Sequence, residues 1–521
     1  MPSTDRKLTV CVTDQGPTSH SSRGRLSGCC DTLALSSNTS VARRDQTGRT
    51  SKLFLQLLLA MVHDAVSRYH ELLRDEALAE SSRRMLDEGL EEARLIFGGR
   101  RLSPYLRPHF VTETDFARIC RICETVWSAI EKVKDAAITD STLIDDLGLT
   151  EIERDLISID PGYHAVSPTA RLDSFLTDTA YSFVELNGES PAGIAYVDAA
   201  YDIFSRLPVM QKFAESYNCR PLYGRGYMLD VLLDSYREYN SGRSQAASSP
   251  NAGTNQPIHI AIVDLKDRPT RSEFELFKEF FEQEGYPTVI CSPEELRFDK
   301  NRLSLGDFEI DIVYKRLLVN EYLPIIAEAP ALLDAYRAGA VCMVNSFRSK
   351  LIHKKALFAV LTDQRRAHLF SSDEQEAIRK HVPWTRLVRA EKTDHAGEEV
   401  DLIEFIKANK GNLVLKPNDD YGGHGITIGW NAEEEVWQEA LKAALADGDY
   451  LAQERVPTAR ETFPALQEDG TIEFAEQLVD LDPLLFNGKV RSAFTRLSFS
   501  ELANVSSGGG MVPTFIISER K

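Results

Sequence analysis

Cysteine is scarce in this chain, eight among 521 residues, and none of the spacings builds a disulfide-dense scaffold. Cys120-x-x-Cys123 falls in a helical stretch without a second Cys or His pair nearby, so free thiols are expected rather than zinc or redox chemistry. A reducing cytoplasm is the expected setting. Long apolar runs are also missing. The first thirty residues lack the apolar core of a secretory signal. Leu53 to Val62 is only about half a membrane span and reads as buried helix. Positive charge is in deficit, with a formal net charge of −19, which disfavours nucleic acid and anionic membrane surfaces as partners. Neither the GxxxxGK[ST] loop nor GxGxxG is present, and no Ser-His-Asp or Cys-His nucleophile constellation stands out. No repeat of fixed period occurs.

What is present is an ordinary globular composition, 43% hydrophobic and 27% charged, in a chain long enough for several domains. Residues 1–52 are rich in Ser, Thr, Arg and Gly and are expected to be disordered or a non-native extension, with Met61 an alternative start. Residues 53–165 carry helical periodicity. A strand is expected at Tyr181 to Asn187, with a helix from Pro191, inside a segment 166–240. A low-complexity loop, 241–257, follows. Strand and helix then alternate over 258–345, which predicts parallel strands. The last segment, 346–515, mixes helices with strands at Leu413 to Lys416, Tyr450 to Glu454, Glu473 to Asp480 and Ala493 to Ser498.

One stretch stands out for chemistry: Leu413-Val414-Leu415-Lys416-Pro417-Asn418-Asp419-Asp420-Tyr421-Gly422-Gly423-His424-Gly425. The strand carries an ammonium to its end. The glycines allow a loop whose backbone N–H groups approach a polyphosphate closely. A glycine-rich turn alone is more often just a tight turn, so its companions decide. Far upstream, Glu185-Leu186-Asn187 sets two oxygen ligands on one strand face, of the kind magnesium uses, with Val184 and Leu186 turned to the other face. In Asn345 to Leu361 a predicted helix opens with Arg348, Lys350, Lys354 and Lys355. Basic groups there oppose the helix dipole, so either a bound anion or a solvated face is expected. Tyr450 to Pro457 is a strand running into an extended, Pro-terminated segment suited to a base edge.

Together these residues resemble the ATP-grasp superfamily. Glu185-x-Asn187 precedes the lysines, an order similar to the circularly permuted ATP-grasp proteins, which include eukaryotic-type glutathione synthetase, glutathionylspermidine synthase and an uncharacterised bacterial group. The resemblance rests also on Asn504-Val-Ser-Ser-Gly508-Gly-Gly-Met-Val-Pro513 and spans 165–515. It implies an α/β fold, a permuted α+β ATP-grasp with an inserted parallel α/β domain and a helical N-terminal region. It further implies ATP and Mg2+, with Lys355 and Lys416 on the phosphates and the loop Tyr421, Gly422, Gly423, His424 and Gly425 over them. Gln453, Glu454 and Val456 would line the adenine and ribose side; Glu185, Asn187 and Asp420 would hold the metal, with Asp419 a rival ligand and Asp482 a further acidic candidate. His424 stands where related sequences often carry Lys or Gly. Arg496, rather than Arg491, would meet a carboxylate substrate. Arg171-Leu172-Asp173 and Tyr314-Lys315-Arg316 are either substrate contacts or structural ion pairs. The implied activity is a carboxylate–amine ligase acting through an acyl phosphate on small-molecule carboxylate and amine substrates; a homodimer is compatible with it. A phosphotransferase and a non-catalytic nucleotide-binding protein are the alternatives.

Overall fold

The computed structural model describes residues 61–97, 99–242, 257–467, 469–501, 503 and 509–520. The Ser/Thr-rich segment 1–52 lies outside the described residues, as do most of the 241–257 loop and residues 504–508 of the glycine-rich ending. All the described residues fall within one unit, Leu55–Lys521.

Three sheets position the chemistry. The largest has eight strands, running in the order His109–Thr112, Gly510–Glu519, Lys489–Ser498, Ile472–Phe486, Thr169–Leu176, Tyr181–Asn187, with Ala459–Leu466 and Tyr217–Arg220 paired off this path. All its pairs are antiparallel except that of His109–Thr112 with Gly510–Glu519. The strand expected at 473–480 runs on to Phe486 through residues buried on both faces, where alternation disappears, and the one expected at 493–498 starts earlier, at Lys489, with alternating burial. The helix Glu113–Ala137 packs against this sheet. Its buried stripe of Ile119, Cys123, Val126, Ile130 and Val133 recurs at helical spacing, and the helix is capped by the Thr112 hydroxyl. The region 53–165 is therefore helical in most of its described part but also contributes a strand to the large sheet.

The expected parallel unit is present: Cys342–Val344, Ile312–Lys315, Ile260–Val263 and Thr288–Cys291 are neighbours in that order, all parallel, with the helix Arg271–Gln283 as one crossover. Its strands read as continuous apolar runs because both faces are buried. The third sheet is antiparallel, Thr385–Leu387, Tyr450–Glu454, Leu413–Pro417, Thr427–Ile428. Leu413 and Leu415 pack under Trp437, Leu441 and Ala444 of the helix Glu434–Asp447, which leaves Val414 and Lys416 on the opposite face. Each such large side chain removed from water contributes about 1.5–3 kcal/mol.

One predicted helix is corrected. The segment 345–361 is not a single helix but breaks into Lys350–His353 and Leu357–Thr362, with Lys354 extended between them. The break is held by Asn418, whose carbonyl accepts from the Lys355 N–H at 3.0 Å and whose side-chain oxygen accepts from the Ala356 N–H at 2.8 Å.

Candidate functional site

The upstream strand carries an irregularity that builds the site. Asp173 pairs with Glu185 but Ser174 pairs with Phe183, so Val184 is an extra residue, a β-bulge. In a bulge two successive side chains turn toward the same side, and Val184 accordingly lines the same cavity as Glu185 rather than facing a core with Leu186. This corrects the strict alternation expected for 184–187. The bulge also leaves the Val184 carbonyl off the ladder, and it accepts from Lys416 Nζ at 2.8 Å. The other partner of Lys416 is Gln453 Oε1 at 2.8 Å, and Gln453 in turn donates to Thr385 Oγ1 at 3.0 Å.

Lys355 Nζ lies 3.6 Å from Glu185 Oε2 and donates to the Asp420 carbonyl. Glu185, Lys355, Lys416, Asp420, Tyr421, Gly422, Gly423 and His424 line one small space of about 30 Å³. Gly422, Gly423 and Gly425 all sit at positive φ, 72°, 81° and 68°, a backbone that side chains resist. Adjoining it, a cavity of about 140 Å³ is lined by Val184, Val414, Ile426, Ile428, Trp430, Glu454, Arg455 and Val456 on one side and by Asp173, Asp480 and Arg496 on the other. The Arg455 guanidinium lies 4.3 Å over the Trp430 ring. Glu454 faces this space, while its own N–H is spent on the Trp384 carbonyl. Residues 185, 355, 416, 420–424, 453, 454, 456 and 496 thus line these two adjoining spaces, while Asn187 stands behind Glu185 and Gly425 packs beside Pro417 and Tyr450, outside both linings.

Electrostatics set the protonation states. Burial opposes the charge of Glu185, but Lys355, Lys416 and Arg496 outweigh it and hold its carboxyl well below the usual range. Burial pushes the Lys416 ammonium down to about 7, with Glu185 pulling the other way and Lys355 adding to the fall. Asn187 donates its amide N–H groups to Asp173 Oδ1 at 3.0 Å and to Glu185 Oε1 at 3.4 Å, so the amide meets both carboxylates through its nitrogen. Glu185 and Asp420 line the same small space, and their carboxylates are hard oxygen donors of the type magnesium takes; Asn187 stands beside Glu185 but does not line that space.

Arg496 sits deeper and is already engaged. Its guanidinium meets Asp173 and Asp480, each at 2.5 Å, and Asp482 at 2.8 Å. Arg171 grips Asp173 from the other side, Nε at 2.7 Å and Nη2 at 3.0 Å. Crowding three buried carboxylates raises two of them: burial pushes Asp480 up to about 6 and Asp482 well above its usual range, against the pull of Arg496. Arg491 is exposed beside the Tyr227 ring, away from this cluster. Of the two readings open for Arg171-Leu172-Asp173, substrate contact or structural ion pair, the structure shows the ion pair, and it adds Asp480, which the sequence reading missed. The signal available was alternation: Arg171-x-Asp173 and Asp480-x-Asp482 each put two charges on one strand face, and adjacent strands bring them together.

Two further expectations are corrected. Lys350 and Lys354 are neither solvated nor arranged around an anion; both are buried in an ion network. Lys350 meets Glu189 at 2.9 Å and Asp419 at 2.7 Å; Lys354 meets Glu153 at 3.2 Å and Asp419 at 3.1 Å. The basic turn is thus compensated by carboxylates from distant segments. Asp419 consequently faces away from Glu185, and of the two neighbouring acids it is Asp420 that lines the phosphate-sized space. Lys315 and Arg316 are likewise held in ion pairs, with Glu189 at 3.4 Å and Glu273 at 3.1 Å.

No family model matches the chain. A protein of Frankia alni, described provisionally as glutamate–cysteine ligase 2-3, is 27% identical over 286 residues, 52% of this chain but only 30% of that protein. An uncharacterised protein of Mycobacterium leprae is 22% identical over 468 residues, 85% of this chain and 76% of that protein. Among solved structures, a glutathione synthetase-like effector from Globodera pallida superposes with a TM-score of 0.54 at 14% identity, covering 85% of this chain and 97% of that one. The fold is therefore a mixed α/β architecture of several sheets, similar to that of a glutathione synthetase-like protein.

Proposed function

We propose that this chain is a circularly permuted ATP-grasp ligase that uses Mg-ATP to join a small-molecule carboxylate to an amine. The observation that carries the reading is the meeting of Glu185 with Lys355 and Lys416: a carboxylate from an upstream strand and two lysines from far downstream share one cleft. The glutathione synthetase-like fold and the ligase name of the Frankia protein support it.

Lys355 and Lys416 would bind phosphate oxygens and offset charge during transfer, and Tyr421 to Gly425 would cover them with backbone donors. Trp430, Arg455, Val456 and the apolar wall would take the base, with Glu454 beside the sugar. Gln453 acts behind the site, fixing Lys416 through its amide. Glu185, Asn187 and Asp420 would hold magnesium, which when bound supplies charge neutralisation at the phosphates. The cavity of about 140 Å³ is smaller than the ~300 Å³ of ordinary ligand sites, so nucleotide entry requires its walls to part. A carboxylate placed near Arg171 and Arg496 would accept the γ-phosphoryl group, and the resulting acyl phosphate would react with the amine, releasing phosphate. Arg496 can grip a carboxylate only by giving up one of its three aspartates.

The test is an ADP-release screen of the purified protein against paired carboxylates and amines, with Lys416→Ala and Glu185→Ala as controls. Turnover in the parent and none in either variant, with melting unchanged, is the expected result. Full turnover in either variant overturns the site. Hydroxylamine in place of the amine should give a hydroxamate, since only an acyl phosphate reacts so; ADP release without hydroxamate would favour phosphoryl transfer to a hydroxyl instead.

A further inference from the structure

Outside the residues just described, one side chain is built toward the cleft with unusual support. Lys392–His395 and Glu398–Asp401 form a two-stranded hairpin whose turn residues, Ala396 and Gly397, both take positive φ, 52° and 87°. The hairpin is anchored along its first strand: Arg386 donates to Thr393 Oγ1 at 2.7 Å and to Asp394 Oδ1 at 2.8 Å, and Trp384 Nε1 donates to the Asp394 carbonyl at 2.9 Å. The last strand residue, His395, is wedged between two rings, edge-on to Trp384 at 5.3 Å and tilted against Phe405 at 4.4 Å. From there its Nε2 reaches Glu454 Oε1 at 2.8 Å. A carboxylate only accepts, so Nε2 carries the proton.

Glu454 has its backbone fixed as well, through its N–H to the Trp384 carbonyl at 2.9 Å. A glutamate at a cavity wall ordinarily samples many rotamers and loses them on binding. Here the bond from His395 narrows that freedom in advance, and it engages Oε1 while Oε2 is left to face a ligand. The ligand chemistry that matches a fixed carboxylate oxygen beside an apolar slot is a vicinal pair of sugar hydroxyls, both donors.

We propose that His395 is a positioning residue that holds Glu454 as the acceptor for the sugar hydroxyls of the nucleotide, and thereby sets a preference for ribonucleotides. This rests on the Mg-ATP reading of the same cleft. It extends that reading to a residue outside the cavity wall, on a hairpin whose sequence carries no nucleotide signature.

The experiment measures dissociation constants for Mg-ATP and Mg-2′,3′-dideoxy-ATP by calorimetry, using the full chain. The parent should favour ATP by about tenfold or more, the range of a hydrogen bond to a charged group. His395→Ala should cut that preference severalfold by weakening ATP while leaving the dideoxy affinity unchanged. Glu454→Ala should remove the preference, and adding His395→Ala to it should change nothing further. His395→Gln, which keeps an N–H donor, should restore part of the ratio. An unchanged ratio in His395→Ala, or equal loss for both nucleotides, overturns the proposal. A parent that binds ATP without preferring it over the dideoxy form overturns it too, while the Mg-ATP reading stands. A parent that binds neither nucleotide defeats both.

Discussion

Lys416 is buried against a carbonyl and an amide oxygen, and burial brings its ammonium down to about 7 in the free protein. Phosphate oxygens arriving beside it would restore the charge, so nucleotide binding and protonation of Lys416 are linked. The perturbation is pH alone. Above about pH 7 the charged fraction of the free protein falls tenfold per unit, and each unit costs the bound state about 1.4 kcal/mol. The dissociation constant for Mg-ATP should therefore rise about tenfold between about pH 8 and about pH 9, and stay nearly flat below about pH 7. The direction follows from the pKa being depressed in the free protein and restored in the complex: binding takes up protons, roughly half of one near pH 7 and nearly a whole one at pH 8 and above. Calorimetry in two buffers of unequal ionisation enthalpy reads that uptake directly. Lys416→Met, which keeps the volume and removes the titration, should show none. No net uptake by the parent at about pH 8, where the nucleotide phosphates are themselves ionised, would refute the coupling of Lys416 to the phosphates.

Other outcomes follow from contacts already described. The two N–H groups of the Asn345 amide are shared among the carbonyls of Thr169, Gly188 and Glu189 at 2.8, 2.9 and 3.1 Å in a buried setting, so Asn345→Ala should lower unfolding stability by roughly 1–3 kcal/mol in denaturant titration. Lys350→Ala strips a buried cation from Glu189 and Asp419 and should cost about 3–5 kcal/mol, with the loss visible as a lowered melting temperature. At Gly425, φ is +68° and an added Cβ would lie 2.7 Å from Pro417 Cγ and 2.8 Å from the Tyr450 hydroxyl. Gly425→Ala should accordingly raise KM for ATP severalfold while leaving the melting temperature within a few degrees, because the strain of about 1–3 kcal/mol falls on a loop rather than a core. An unchanged KM would show that this loop does not close on the nucleotide.

Much of the architecture was legible where pattern and burial agree. The strands Tyr181–Asn187 and Tyr450–Glu454 have the bounds their sequence suggested, and the parallel arrangement over 258–345 follows from strand and helix alternating. The bulge at Val184 was not legible, because nothing in Phe-Val-Glu-Leu distinguishes a regular strand from one with an extra residue; the partner strand decides it. Nor was the fate of Lys350 and Lys354. A lysine is read as solvated unless its counterions are known, and theirs come from residues 153, 189 and 419, scattered along the chain. Residues whose roles rest on one local motif, the glycines of 422–425 above all, could be read in isolation. Residues whose roles rest on long-range charge balance, Asp173, Asp480 and Arg496, could not.

The parallel pairing of Phe110 with Phe515 has a consequence for synthesis. A ribosome delivers Gly510–Glu519 long after His109–Thr112, and the later strand is the bridge between the earlier one and the strands bearing Arg496 and Asp480. Glu185 and Asn187 likewise sit on a strand paired only with Thr169–Leu176 until Ile472–Phe486 is made far downstream. Such a late-closing topology should make the newborn protein dependent on chaperone holding, and a ribosome stalled before residue 472 should display a polypeptide that proteases cut within 169–187.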